Sequence, residues 1–215
     1  MWGNKAAHDL GKIVITDILK QTSIKPDEID EVILGQVLTS NVGQNPARQA
    51  AIGAKIPHDK ISYIVNQVCG SGLRAIVLAY QSLLLDSSKV IIAGGQESMS
   101  RCNKELMMKD GLIDAFNNYH MGVTAENIAK KFNISRKEQD EFAFLSQKKT
   151  ENAINQNKFK NEIIKINQNG TILSKDEHPR MGLNISDLEK LKTVFLKDGT
   201  VTPGNSSGIN DGAAA

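Results

Sequence analysis

Cysteine is scarce in this 215-residue sequence, with one at position 69 and one at 102. Two cannot build a disulfide framework or a four-ligand zinc site, and a reducing compartment is the simplest setting for them. An excess of one charge is also missing. The 26 basic and 24 acidic residues leave a net +2, which excludes a polybasic nucleic-acid binder and an acidic tail. Only five of the basic residues are arginine, so the surplus is mild and lysine-based. No apolar run approaches the roughly 18–20 residues of a membrane span, so no membrane partner is expected. The start, Met1-Trp2-Gly3-Asn4-Lys5, has no apolar segment behind it and does not read as a secretory signal. Internal repeats and low-complexity linkers are absent. The histidines, at 8, 58, 120 and 178, have no metal-ligand spacing, and no metal is expected.

What is present reads as alternating helices and strands. Leu10, Ile13, Val14, Ile18 and Leu19 recur at helical spacing over residues 9–22, and Pro26 ends that pattern. Residues 31–38 (EVILGQVL) form a short apolar run, read as a buried strand. Pro46 opens a small helix over 46–54. Residues 61–68 (ISYIVNQV) are a second strand, and Gly70-Ser71-Gly72 then opens a helix with Leu73, Ile76, Val77, Tyr80 and Leu84 on one face. Residues 89–93 (KVIIA) are a third strand, ended by Gly94-Gly95. This order predicts an α/β fold with a mostly parallel sheet and helices on both faces.

After residue 97 the pattern changes. A polar, methionine-rich stretch leads to a short helix over 124–132. Ser135-Arg136-Lys137-Glu138 is a capping box, opening a helix to about residue 155 with Phe142, Leu145 and Ala153 inward. An Asn- and Lys-rich stretch with a strand at 162–167 follows, then a helix at 186–196. The glycine-rich tail ends in Gly212-Ala213-Ala214-Ala215, which reads as a helix that has just begun and suggests truncation. The expected division is a core at 1–97, an inserted, mainly helical domain at 98–198, and a return segment into the core at 199–215.

One position stands out chemically. Cys69, in Asn66-Gln67-Val68-Cys69-Gly70-Ser71-Gly72, falls where a strand ends and a helix begins. Unpaired N–H groups and the helix dipole favour a thiolate there. The flanking glycines clear room for a substrate carbonyl, as in a nucleophile elbow. A buried structural cysteine in a tight turn accounts for the pattern equally well. A nucleophilic thiol needs a proton partner, usually histidine. His120 alone sits beside a local glycine in the inserted segment, and nothing in the chain declares itself as the base for Cys69. Arg48 reads as a structural ion pair and Cys102 as inert.

Five motifs occur in order: Gly43-Gln44-Asn45-Pro46-Ala47-Arg48-Gln49-Ala50, the segment from Asn66 to Leu73, Gly94-Gly95-Gln96-Glu97-Ser98-Met99-Ser100, His120-Met121-Gly122-Val123-Thr124-Ala125-Glu126-Asn127, and Gly204 through Ala214. Together they resemble the thiolase family, of the acetyl-CoA acetyltransferase type. The resemblance implies an acyltransferase of cytoplasmic fatty acid metabolism, with Cys69 as the acyl-accepting nucleophile and no covalently bound cofactor. Coenzyme A and acetyl-CoA are then substrates rather than cofactors. It implies that 98–198 is the coenzyme A-binding loop domain, with Leu112, His120, Met121, Arg180 and Phe195 on coenzyme A-contact positions and Ser207 against the pantetheine arm. Arg180 would face a nucleotide phosphate. Asp187 stands where that type often has a further contacting serine, and the loop between Met99 and Lys109 is short for one used in tetramer contacts. The resemblance covers the family's N-terminal half, trimmed at both ends. The second-half histidine, cysteine and asparagine motifs are not in this chain, and neither is a central first strand, so the neighbouring strands are expected to lose ladder partners. Three readings stay open: a family-type acyltransferase, acting as a homo-oligomer or with a companion chain carrying the other half; an inactive truncated fragment; and a non-catalytic coenzyme A-binding module.

Overall fold

The apolar side chains Leu10, Ile15 and Leu19 line one side of helix α1 (Ala7–Thr22) in the computed structural model, which describes residues 5–168 and 170–215. A single 3-10 turn at Pro26–Glu28 leads into strand β1 (Glu31–Gly35). Helix α2 (Pro46–Gly53) begins with proline in its first turn and with the Asn45 side chain accepting the Arg48 N–H. Strand β2 (Ile61–Val65), helix α3 (Ser71–Leu84), strand β3 (Ile91–Ser98) and the short helix α4 (Lys104–Met107) follow. Beyond them lie α5 (Met121–Phe132), α6 (Arg136–Asn155), β4 (Ile166–Gln168), β5 (Thr171–Leu173), α7 (Ile185–Glu189) and β6 (Asp211–Ala214). By its contacts the chain divides into two compact units, Met1–Leu112 with Ile209–Ala215, and Ile113–Gly208. The sequence reading set these divisions at 97/98 and 198/199.

The first unit is built on a four-stranded sheet in the order β2-β1-β3-β6. Strand β1 pairs in parallel with β2 and β3 along its whole length, Glu31 standing opposite both Ile61 and Ile91. The expected break in the ladder is therefore not found: β1 and β3 pair directly, so their backbone groups are satisfied without a further strand between them. Strand β6 adds at the open edge of β3, antiparallel, with Gln96 opposite Ala213. This corrects the helix expected at Gly212–Ala215. Helix preference in an alanine run is worth only a fraction of a kcal/mol per residue, and a ladder of strand hydrogen bonds overrides it. The same pairing carries β3 past Gly94-Gly95 to Ser98.

Strand alternation sorts the core onto two faces. Val32, Leu34 and Ile92 pack with Ile15 and Leu19 of α1 and with Ala47, Ala50 and Ala51 of α2. Ile33 points the other way and packs with Ala75 and Ala79 of α3. Helices thus cover both faces of a mostly parallel sheet. Each fully buried Ile or Leu contributes about 2 kcal/mol. The α3 stripe named from the sequence is not the packed one: Leu73, Ile76, Tyr80 and Leu84 are exposed. Small alanines let α3 lie close to the sheet, and the large residues face away. Arg48 forms no ion pair among the described residues; its guanidinium donates to the carbonyls of His58 and Lys60 and ties down the turn before β2.

In the second unit, α6 opens on the expected capping box, Ser135 and Glu138 each taking the other's N–H. Its packed face is polar, which corrects the inward placement of Phe142 and Leu145, now 78% and 54% exposed. Arg136 donates to the carbonyls of Leu188 and Leu191, Asp140 accepts from Asn205, Gln147 takes the Arg180 N–H, and Glu151 takes the Gly182 N–H. Positions 136, 140, 147 and 151 share one helix face. The helix is docked by hydrogen bonds to chain that lacks its own ladder, and an apolar stripe is not needed. The strand expected at 162–167 is displaced: residues 162–165 lie outside any strand and the extended chain is the hairpin β4–β5, which starts at Ile166, while the helix expected at 186–196 is the shorter α7.

Candidate active site

Strand β2 ends at Val65, and the chain turns through Asn66–Gly70 before α3 starts at Ser71. Cys69 lies in that turn, exposed, one residue before the helix cap Gly70. The turn is held from several sides. The Asn66 side chain accepts the Val68 N–H (2.9 Å) and donates to the Val37 carbonyl (3.3 Å). The Ser71 hydroxyl accepts the Gln67 N–H (2.9 Å) and donates to the Val68 carbonyl (2.6 Å). The Gly70 N–H donates to the Gln67 carbonyl and the Ser71 N–H to the Val68 carbonyl. The first-turn N–H groups of Gly72 and Leu73 have no acceptor among the described residues, the usual state of a helix start. Val68 has φ +49°, a conformation that costs a β-branched residue roughly 1–3 kcal/mol. Helix α3 enters against the end of β1, where a Cβ on Gly35 would lie 2.5 Å from the Ser71 carbonyl carbon. Only glycine fits there.

An open cleft of about 430 Å³ borders this turn, walled by Cys69, Gly72, Gln96, Glu97, Asp211 and neighbouring backbone. Burial raises the Glu97 carboxyl above its ordinary range, although the N–H groups of Val37, Leu38 and Ser98 pull it down; Asp211 adds to the rise. Its Oε2 takes the Val37 N–H at 2.8 Å, and its buried Oε1 has no partner among the described residues. Gln96 donates to Gln36 at 2.8 Å within the wall. Cys102 is half-buried; burial pushes its thiol up, and Glu97 and Asp110 add repulsion. No imidazole hydrogen-bonds to Cys69 among the described residues.

The remaining residues singled out from the sequence fall elsewhere. Leu112 ends a π-helical turn, Met108–Leu112, as the last residue of that segment of the first unit. In the second unit His120 caps α5: its Nδ1 accepts the Gly122 N–H at 2.9 Å, so the ring proton is on Nε2. Its ring stacks on Phe195, centroids 4.6 Å apart. A Cβ on Gly122 would overlap the Phe195 ring, so the stack requires glycine there. Met121 follows at the first position of α5, 37% exposed. The Arg180 side chain is exposed, and its N–H is fixed by Gln147. Ser207 is exposed in the loop after Asn205.

Several residues that shape these positions were not singled out from the sequence. Glu126 is buried in α5 and accepts the N–H groups of Thr200 and Val201 and the Thr200 hydroxyl. Burial alone would raise its pKa, but those donors outweigh burial and the net shift is downward. Asp140, buried, accepts from Asn205, whose Oδ1 takes the Thr202 N–H. Together they pin the segment that presents Ser207. For Asp140, a carboxylate inside a helix that is short of apolar residues was the available signal. For Ser71, the signal was a small hydroxyl between two glycines at a helix start.

Fold and turn together define an α/β protein that presents an exposed thiol where a strand-to-helix turn opens onto a cleft. The family profile described as "Thiolase, N-terminal domain" matches residues 1–106 and 101–215. The chain belongs to the thiolase family, of which it carries N-terminal domain sequence. It is 47% identical to an acetyl-CoA acetyltransferase of Paracoccus denitrificans, over 100% of this chain and 60% of that protein. It is 46% identical to one of Rhizobium meliloti, over 100% of this chain and 60% of that protein. A cytosolic acetyl-CoA acetyltransferase of Rattus norvegicus is 44% identical over 97% of this chain and 58% of its own length. The chain thus spans about 60% of the length of the curated relatives it matches.

Proposed function

We propose that this chain carries the acyl-accepting half of an acetyl-CoA C-acetyltransferase. Cys69 as thiolate attacks the thioester carbonyl of acetyl-CoA; the new carbon–sulfur bond forms and the coenzyme A thiolate leaves, taking up a proton. Free backbone N–H groups about the turn stabilise the oxyanion of the tetrahedral intermediate. The acetyl group then passes to the carbanion of a second acetyl-CoA to give acetoacetyl-CoA, or the sequence runs backwards as thiolysis. Coenzyme A recognition is assigned to Leu112, His120, Met121, Arg180, Phe195 and Ser207. The inserted domain of 98–198 is assigned to that task. Two free thiols suit a cytoplasmic setting.

The observation that supports this most is the exposed thiol of Cys69 in a pinned turn at a helix start, in a chain 47% identical to an acetyl-CoA acetyltransferase. The base for Cys69 and the activation of the second acetyl-CoA are assigned to sequence of the kind the longer relatives carry beyond the matched region, supplied here by a companion polypeptide. The test is acylation rather than turnover. Incubation with acetyl-CoA followed by mass spectrometry is expected to add one acetyl group to the Cys69 peptide and none to the Cys102 peptide. No adduct on Cys69, with coenzyme A still bound, would favour the non-catalytic binding module.

A further inference from the structure

We propose that Ser71 is a positioning residue for Cys69, acting by holding Val68 in the left-handed conformation that turns the thiol outward. This deepens the reading of Cys69 as acyl acceptor and rests on it only for its use. Val68 is β-branched and stands at φ +49°, where such a residue does not stay unless its surroundings impose it. Ser71 imposes it from one side. Its buried hydroxyl bridges the Gln67 N–H and the Val68 carbonyl, so the 66–67 and 68–69 peptide units, on either side of the Gln67-Val68 pair, are tied to a single oxygen. Asn66 holds the Val68 N–H from the other side. Ser71 in turn sits hard against Gly35 at the end of β1, which anchors the clasp in the most buried strand of the sheet. With the hydroxyl gone, Val68 relaxes towards negative φ, and Cys69, the next residue, swings away from the start of α3.

The chemistry predicts an energetic coupling between positions 71 and 68 that a general stabilising role for Ser71 does not produce. Asparagine tolerates the left-handed region far better than valine, so Val68→Asn makes the clasp dispensable. The experiment is a double-mutant cycle in the full chain, reading iodoacetamide alkylation of Cys69 by mass spectrometry, with Cys102 as internal reference. Wild-type Cys69 is expected to alkylate faster than Cys102. Ser71→Ala is expected to slow Cys69 by about three- to tenfold, the worth of one net hydrogen bond, without slowing Cys102. In the Val68→Asn background the same change is expected to alter the Cys69 rate less than about twofold. An equal effect of Ser71→Ala in both backgrounds, or none in the valine background, overturns the proposal. If Ser71→Ala alone loses the helical far-UV signal, its recovery in Ser71→Ala/Val68→Asn supports the coupling, and loss in both overturns it. A wild-type chain that takes no acetyl group onto Cys69 yet shows the coupling refutes acyl transfer and leaves the positioning role standing.

Discussion

His120 and Phe195 owe their stacking to a residue with no side chain. Alanine at position 122 would favour helix α5 by up to about 1 kcal/mol over glycine. Its methyl group would also overlap the Phe195 ring, and overpacking of that kind costs about 1–3 kcal/mol. The clash wins, and Gly122→Ala is expected to displace Phe195 from His120. If that stack holds the coenzyme A ligand, Gly122→Ala weakens coenzyme A binding to the chain, measured by calorimetry, while α5 keeps its helical signal. Unchanged affinity would remove His120 and Phe195 from the proposed binding set. Side chains of this kind were readable as motif positions; the contact that makes Gly122 necessary was not, because 73 residues separate it from Phe195 along the chain.

At the scale of elements, the second unit is held by carboxylates. Glu126 of α5 fastens the strandless segment at Thr200 and Val201, and its pKa is depressed by those donors against the opposing effect of burial. The sign follows directly. A carboxyl with a lowered folded pKa contributes stability above its unfolded value, and that contribution is lost as pH falls through the folded value. The Thr200 and Val201 amides are therefore expected to lose exchange protection as pH drops below the ordinary glutamate value of 4.5. Glu126→Gln should weaken their protection already at neutral pH, by about 1–3 kcal/mol, and should flatten the acid dependence. An acid profile that is the same in Glu126→Gln would place the titrating group elsewhere. Helices α1, α2, α3 and α5 were legible from spacing and caps. The packed face of α6 was not, because its polar anchors bind chain segments that only the fold brings within reach.

For the whole molecule, the exposed stripe on α3 has the largest consequence. Leu73, Ile76, Tyr80 and Leu84 are all more than half exposed on one helix, and contiguous apolar surface of this kind drives association. The ladder runs unbroken from β2 to β6, which are the two edge strands of the sheet, and self-association is expected from this apolar stripe. Ile76→Lys with Leu84→Lys is expected to lower concentration-dependent light scattering without lowering the melting midpoint. A fall in the midpoint would show that the stripe is packed in solution, and unchanged scattering would assign the association to another surface.

The sequence by itself determined the layered α/β plan, because apolar strand runs, helical spacing and glycine-bordered ends are local signals. It also determined the place of Cys69 and the family, through short motifs in order. Tertiary structure decided the rest: that β1 and β3 pair directly, that the last alanines join the sheet as β6, and that α3 packs by its alanines. It also decided that Val68 is held at positive φ by Ser71. Each depends on a partner distant in sequence or on competition between weak local preference and a hydrogen-bonded ladder, and neither is written in any single stretch of chain.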